Sequence, residues 1–267
     1  MNRCAFISLA LHLAASQVPA QEAVRPEAVT FIATEEAASK VRKCVFAVFM
    51  ATSHTNLANI NDWTHLGTGF FAGRSNATFG VTCAHIVNTA SRARKDLFMG
   101  FDTTAGYKRI PARPFFISTN LDFAFIESEL TNQIAIQGWH FGTDHFDDGR
   151  SIVEGRGVLI VGYPLELGTE QNRNLPVVRF GMVAQQTPTT QFLVDGIASH
   201  GNSGSPVVSL GPREFRLIGM TIGNKPDQIT LFNEMGGISA FLPYNSGLAV
   251  VLKSSVILEA IPASYKQ

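Results

Sequence analysis

The sequence predicts an all-β chain in two similar six-stranded halves that meet at a cleft. Short apolar runs recur roughly every 10–15 residues, with Gly, Pro, Asn or Asp between them. No long amphipathic helical stretches alternate with these runs, as a parallel α/β fold would require. The runs also divide into two sets on either side of residue 145, around the charged stretch Gln137–Arg150.

Composition narrows the function classes. The chain has 267 residues with 21 Lys+Arg against 21 Asp+Glu, a formal net charge of zero, which argues against nucleic-acid binding through a basic surface. Charged residues are 16% and apolar residues 45%, against roughly 25% charged in an average soluble domain, so a packed core is expected and disorder is not. No apolar run reaches the roughly 20 residues of a membrane span.

The elements follow in chain order. Met1–Arg3 carries one positive charge, Cys4–Ala15 is apolar apart from Ser8 and His12, and Val18-Pro19-Ala20 supplies small residues before Gln21. That layout reads as a cleavable signal peptide over 1–20, placing the mature chain in the periplasm or outside the cell, with no stable membrane insertion after its removal. Residues 21–40 form a polar lead-in. Predicted strands then span Cys44–Met50, Gly69–Ala72, Phe79–Ala84, Leu97–Phe101, Phe115–Ser118 and Phe123–Ile126. After residue 150 come Val158–Tyr163, Val177–Ala184, Phe192–Val194, Pro206–Ser209, Leu217–Ile222 and Ile238–Phe241. A closing helix is expected over about 245–261, capped by Asn245 or Ser246 and ended by Pro262, because Leu248, Val251, Leu252, Ser255 and Leu258 fall at helical spacing. Export leaves Cys44 and Cys83, either as a disulfide worth ~3–4 kcal/mol or as two buried thiols.

Three local patterns carry chemistry. Val81-Thr82-Cys83-Ala84-His85 ends an apolar run in a histidine, the side chain suited to proton transfer near neutral pH. Asn120-Leu121-Asp122-Phe123-Ala124-Phe125-Ile126 draws a carboxylate toward the interior, where it needs a partner such as an imidazole N–H, although a turn-capping aspartate has the same pattern. Gly201-Asn202-Ser203-Gly204-Ser205-Pro206 sets a serine on a sharp turn, with the N–H groups of Gly201 and Ser203 free to face one point as an oxyanion hole would.

Together these patterns resemble the chymotrypsin-like (trypsin-fold) serine peptidases. TCAH matches the family's histidine signature, DFAF its aspartate signature and GNSGSP its serine signature; GTGFF at Gly67–Phe71, VGYP at Val161–Pro164, LIGMTIGN and ISAFLP add support. The resemblance covers about 41–262 and points to the bacterial branch near the HtrA-type protease domain, with no room for a PDZ domain. It implies two six-stranded antiparallel β-barrels, the first over about 41–136 and the second over about 151–244, followed by the C-terminal helix. It also implies a serine endopeptidase acting on peptide or protein substrates without a cofactor. His85, Asp122 and Ser203 would form the triad, and Gly201 and Ser203 the oxyanion hole. In the family the residue six places before the nucleophile forms the base of the specificity pocket, which here is Ile197, with His200 and Thr221 beside it. That implies a preference for small or medium apolar residues, unless Asp195 swings into the pocket or His200 stands at the rim and favours an acidic side chain. Departures are Ser205 for the second glycine, Cys83 for an alanine, and Asn202 for the aspartate that pairs with a freed N-terminus in zymogen-activated members. Asn202 thus implies activity without a defined internal cut.

Rival readings fit less well. An α/β-hydrolase needs Gly-x-Ser-x-Gly and a histidine after the serine; position 205 is Ser and the last histidine is His200. A subtilisin-like order could use Asp62, but the many short strands do not suit that fold. His140 and His145 near Asp144, Asp147 and Asp148 match no zinc spacing and read as a solvated acidic linker, so no metal is expected. A catalytically dead trypsin-fold binding module is the remaining alternative; such proteins typically lose the His or the Ser, and this chain has both.

Overall fold

In the computed structural model, residues 26–52, 63–74, 77–103, 106–128, 139–169, 175–211, 215–233 and 235–266 are described, those before residue 34 as backbone only. The signal-peptide reading of 1–20 lies outside them. Helix α1 (Pro26–Cys44) leads into β1 (Val45–Ala51), β2 (Thr64–Arg74) and β3 (Ala77–Thr82), then α2 (Ala84–Arg92), β4 (Asp96–Thr103), β5 (Gly106–Ser118) and β6 (Phe123–Glu127). The second half holds β7 (Gly157–Gly162), β8 (Val177–Gln186), β9 (Gln191–Asp195), β10 (Pro206–Leu210), β11 (Phe215–Phe232) and β12 (Ile238–Lys253). Helices α3 (Ser254–Ala260) and α4 (Ala263–Lys266) close the chain.

Each set of six strands closes into an antiparallel barrel, in the order β1-β2-β3-β6-β5-β4 and β10-β11-β12-β9-β8-β7. The first is filled by aromatic rings: Phe46, Phe70, Phe79, Phe123 and Phe125 are fully or almost fully buried. Each such burial removes enough apolar surface to be worth about 1.5–3 kcal/mol. Phe46 explains two glycines on the facing strands, since a Cβ at Gly69 or Gly80 would come within 2.4 or 2.7 Å of its ring.

The structure corrects several boundaries. The lead-in is not merely polar coil, because α1 runs through it to Cys44 and the first strand starts at Val45. Residues 245–253 are strand rather than helix, so the second barrel extends to Lys253 and the helix is confined to Ser254–Ala260. Leu248–Leu252 pairs with β9 on one side while Ala249–Lys253 pairs with β11 on the other, and Ala249 and Val251 are fully buried at alternate positions. Helical and strand periodicity coincide over so short an apolar run, and pairing on both edges decides it. The 139–150 stretch is packed only in part: Phe141 bridges to Ala72, Phe146 bridges to Leu217 and Asp147 is 5% exposed, while the side chains of Asp144, Asp148 and Arg150 stay in solvent as expected. The Asp147 carboxylate accepts the N–H groups of Gly149 (2.7 Å) and Ser151 (3.1 Å), which makes it a turn-forming group.

Candidate active site

The VTCAH run crosses a strand-to-helix junction. β3 stops at Thr82, so Ala84 belongs to α2 and not to the expected strand 79–84, and His85 stands in the first turn of the helix. Such a turn leaves backbone N–H groups without intrahelical acceptors, and Cys83 at the N-cap makes no side-chain cap bond. Asp122, in the turn between β5 and β6, supplies the acceptor. One carboxylate oxygen takes the His85 backbone N–H at 2.9 Å and the other meets His85 Nδ1 at 2.7 Å. A carboxylate at a helix N-terminus also suits the helix dipole. Asp122 holds φ +57°, a left-handed conformation that Asp tolerates better than most side chains. With Nδ1 donating to this carboxylate, Nε2 is the nitrogen left to accept a proton. The side chains remain 47% and 26% exposed, open to a ligand.

The GNSGSP turn owes its shape to its glycines. Gly201 and Gly204 have φ +91° and +87°. A Cβ at Gly201 would meet the Tyr163 carbonyl oxygen at 2.1 Å, and one at Gly204 the Thr68 carbonyl oxygen at 1.9 Å. Asn202 N–H donates to Ser199 O (3.0 Å), Gly204 N–H to Thr221 O (2.7 Å) and Ser205 N–H to Asn202 O (2.9 Å). Among the described residues, the N–H groups of Gly201 and Ser203 have no protein acceptor. Asn202 is 1% exposed, and its amide reaches Ile197 O at 3.4 Å.

The first barrel holds this loop through Thr68, a residue that sequence reasoning passed over although it sits inside the GTGFF motif. Thr68 N–H donates to Ser203 O at 2.8 Å, and its hydroxyl donates to Gly201 O at 2.7 Å while accepting Tyr163 N–H at 3.1 Å. The Thr82 hydroxyl donates to Thr68 O at 2.7 Å. A second tie is the Cys83 thiol, which donates to Thr221 O at 3.4 Å. Cys44 and Cys83 are both free and buried, and burial holds each thiol well above its ordinary pKa, helped at Cys83 by the Asp122 charge. Ligand atoms of Cys83, His85 and Asp122 lie within 4.8 Å of one another. The protonated thiol bonded to Thr221 and the carboxylate bonded to His85 make this a structural sulfur beside a His–Asp pair.

A cavity of about 380 Å³ opens at Ser203, lined by Ala198, Ser199, His200, Thr221, Gly223, Asn224 and Asn245. Of the expected pocket residues, His200 and Thr221 line it and Ile197 does not: Ile197 is 59% exposed, and the buried Ala198 takes the wall position. Asp195 is exposed and also outside the lining.

Two antiparallel six-stranded barrels with His85, Asp122 and Ser203 on their connecting loops define a trypsin-fold chain. The family profile described as "Trypsin-like peptidase domain" matches residues 67–220, and the chain belongs to that family. Among solved structures it is similar to the MamO protease domain from Magnetospirillum magneticum, with 17% identity, TM-score 0.53 and coverage of 84% of this chain and 98% of that one. It is also similar to the serine endoprotease from Yersinia pestis, with 17% identity, TM-score 0.56 and coverage of 84% of this chain. The match spans 64% of the Yersinia chain. No curated protein sequence matches significantly.

Proposed function

We propose that the chain is an exported serine endopeptidase that cleaves peptide bonds through an acyl-enzyme. The observation carrying this reading is the Asp122 carboxylate bonded at once to the ring and the backbone N–H of His85, in a chain whose Gly201 and Ser203 N–H groups are left without protein acceptors. Ser203 Oγ attacks the scissile carbonyl carbon as His85 Nε2 takes its proton, and the carbonyl oxygen becomes an oxyanion facing the Gly201 and Ser203 N–H groups. The imidazolium then protonates the leaving amine as the C–N bond breaks, leaving a Ser203 ester. Water repeats the sequence to release the acid. Asp122 stays ionised throughout and steadies the imidazolium.

Among the described residues the pocket lining carries no acidic side chain, so a Lys or Arg preceding the cut would be desolvated without a partner. Small and medium uncharged residues suit a wall made by Ala198 and Thr221. Asn202 is a buried neutral amide bound within the loop, which supports activity without a newly freed N-terminus. The signal-peptide pattern of 1–20 supports export. A phosphonate probe of serine peptidases tests the reading: it labels Ser203, and Ser203→Ala abolishes both labelling and casein cleavage. Labelling elsewhere, or cleavage by Ser203→Ala at the parental rate, removes Ser203 as nucleophile.

A further inference from the structure

β11 and β12 outgrow the barrel they belong to. β11 pairs with β10 only over Phe215–Met220, and β12 pairs with β9 only over Leu248–Leu252, yet the two strands stay paired with each other out to Phe232 and Ile238. Beyond Asn224 and Asn245 they form a two-stranded arm. At about 3.3 Å per residue it projects roughly 25 Å past the cavity. The arm is apolar where a solvated hairpin would be polar: Ile229 (48%), Leu231 (40%), Phe232 (64%), Ile238 (60%), Phe241 (56%) and Leu242 (50%) are all exposed. Between Gln228 and Pro243 the only charged residue is Glu234. Ile229 pairs with Leu242 and Leu231 with Ala240, which sets an apolar stripe on one face.

The base of the arm is the wall of the cavity. Thr221, Gly223 and Asn224 of β11 and Asn245 of β12 line it together with Ser203. Beyond Thr221, whose N–H and C=O are bonded to Ser205 and Gly204, the outer edge of β11 pairs with no other strand among the described residues. It leads from beside Ser203 through bulges at Thr221/Gly223 and Asn224/Pro226 into the arm, where the ladder is regular from Pro226 to Leu231. A polypeptide added to that edge gains backbone hydrogen bonds, and the stripe offers contact to its side chains. β11 runs outward from the cavity, so a chain pairing antiparallel to it enters from the tip and brings its C-terminal end to Ser203.

Building on the peptidase reading, we propose that the arm is a docking strand for substrate: it binds an extended, uncharged apolar stretch of polypeptide lying on the N-terminal side of the cut. The substrate class is then unfolded protein that exposes such stretches, and short peptides bypass the arm.

Binding to the Ser203→Ala protein tests this without needing turnover. The probes are two fluorescein-labelled peptides with the same small-residue site, one preceded by eight Val, Leu and Ile residues and the other by eight Ser and Gly residues. Ile229→Ser/Leu231→Ser/Leu242→Ser should weaken anisotropy-detected binding of the apolar peptide about tenfold and leave the Ser/Gly peptide unchanged, a difference of about 1.4 kcal/mol. A second variant, joining Asp227 to Tyr244 through an Asn-Gly turn, removes the arm altogether and guards against a misfolded triple variant. In the enzyme with Ser203 intact, both variants should lower kcat/KM for the apolar long peptide and spare a short chromogenic ester. Equal binding of the apolar peptide by parent and both variants overturns the proposal. So does equal gain from an apolar stretch placed after the cut, or a parent that light scattering finds dimeric through the arm with peptide binding unaltered. Failure of phosphonate labelling would sink the peptidase reading alone, because the binding assay does not depend on it.

Discussion

The two barrels follow one path and use it differently. Each runs first-second-third-sixth-fifth-fourth strand around its circumference. In the first, the third-to-fourth connection is α2 with His85, and the fifth-to-sixth connection is the short turn holding Asp122. In the second, the same two connections carry Ser203 and the tip of the arm. Their interiors differ too. The first barrel is built on phenylalanine, whereas among the described residues the separate cluster inside the second is mainly aliphatic, with Ile152, Val158, Ile160, Val183, Val194, Val207, Ile218 and Val251 around the ring of Phe192. Aromatic packing and a helix cap suffice to fix a histidine. A loop that must leave two N–H groups unbonded cannot fix itself the same way, so it takes its shape from glycines and its anchorage from Thr68 across the interface.

The strongest way to break that contrast lies in the first barrel. Asp122→Asn keeps an oxygen to cap α2 and suits the left-handed backbone, but it no longer stabilises an imidazolium or enforces the tautomer. Turnover should fall about 10³–10⁴-fold with the urea midpoint nearly unchanged. Asp122→Ala should lose the same activity and about 1 kcal/mol of stability as well, from the missing cap. An Asn variant as unstable as the Ala variant would make Asp122 a structural turn residue.

Next is the stitch between barrels. Thr68→Val keeps the shape and leaves Gly201 O and Tyr163 N–H without their bonds to the Thr68 hydroxyl. Two stranded buried groups cost about 2–4 kcal/mol together. The loop should also lose its fixed orientation, lowering kcat with KM little altered, and Thr68→Ser should restore both. A Val variant with parental kcat would show that the glycines alone shape the loop.

His65 probes the floor beneath Gly201. It is 3% exposed, sits edge-on to Phe49 and Tyr163, and its Cε1 lies 3.0 Å from where a Gly201 Cβ would stand. Burial lowers its pKa from 6.5 to about 4, aided by the charge of His200 and opposed by the Gly67 backbone. The folded state thus binds its proton only below about pH 4, while the unfolded chain binds it below about 6.5. Stability from this group is complete above pH 6.5 and is lost as pH falls toward 4, by about 3 kcal/mol at most. In a Ser203→Ala background, His65→Phe should flatten the urea midpoint between pH 6.5 and 4.5. An unchanged slope would mean that other groups carry the acid sensitivity.

What the sequence made legible is what short-range chemistry writes. Strand runs recur as apolar residues between turn formers, and TCAH, DFAF and GNSGSP each sit at a loop where one residue type is required. Long-range pairing is not written that way. Nothing in DFAF says that Asp122 caps the helix of His85, and nothing in GTGFF says that Thr68 reaches Gly201. Of the arm only Ile238–Phe241 was legible as strand, because Asn224, Pro226 and Asp227 read as turn residues and only mutual pairing of β11 and β12 extends them as strand. Counting six places back from Ser203 also failed, since loop geometry and not residue count decides which side chain faces the cavity.

That last point yields the smallest expected effect. If Ile197 formed the base of the specificity pocket, Ile197→Asp would create a partner for Lys and Arg and convert the cleavage preference. In the structure Ile197 is 59% exposed while its carbonyl oxygen receives Arg179 and Asn202, so its backbone is tied down and its side chain points away from the cavity lining. A carboxylate there stays in water, where a surface change is worth within about 0.5 kcal/mol. Profiling a mixed peptide library should therefore find cleavage after Lys and Arg altered by no more than about twofold, within the same 0.5 kcal/mol. A clear shift of cuts toward Lys and Arg would mean that the loop from Asp195 to His200 rearranges when substrate binds, bringing Ile197 into the pocket after all.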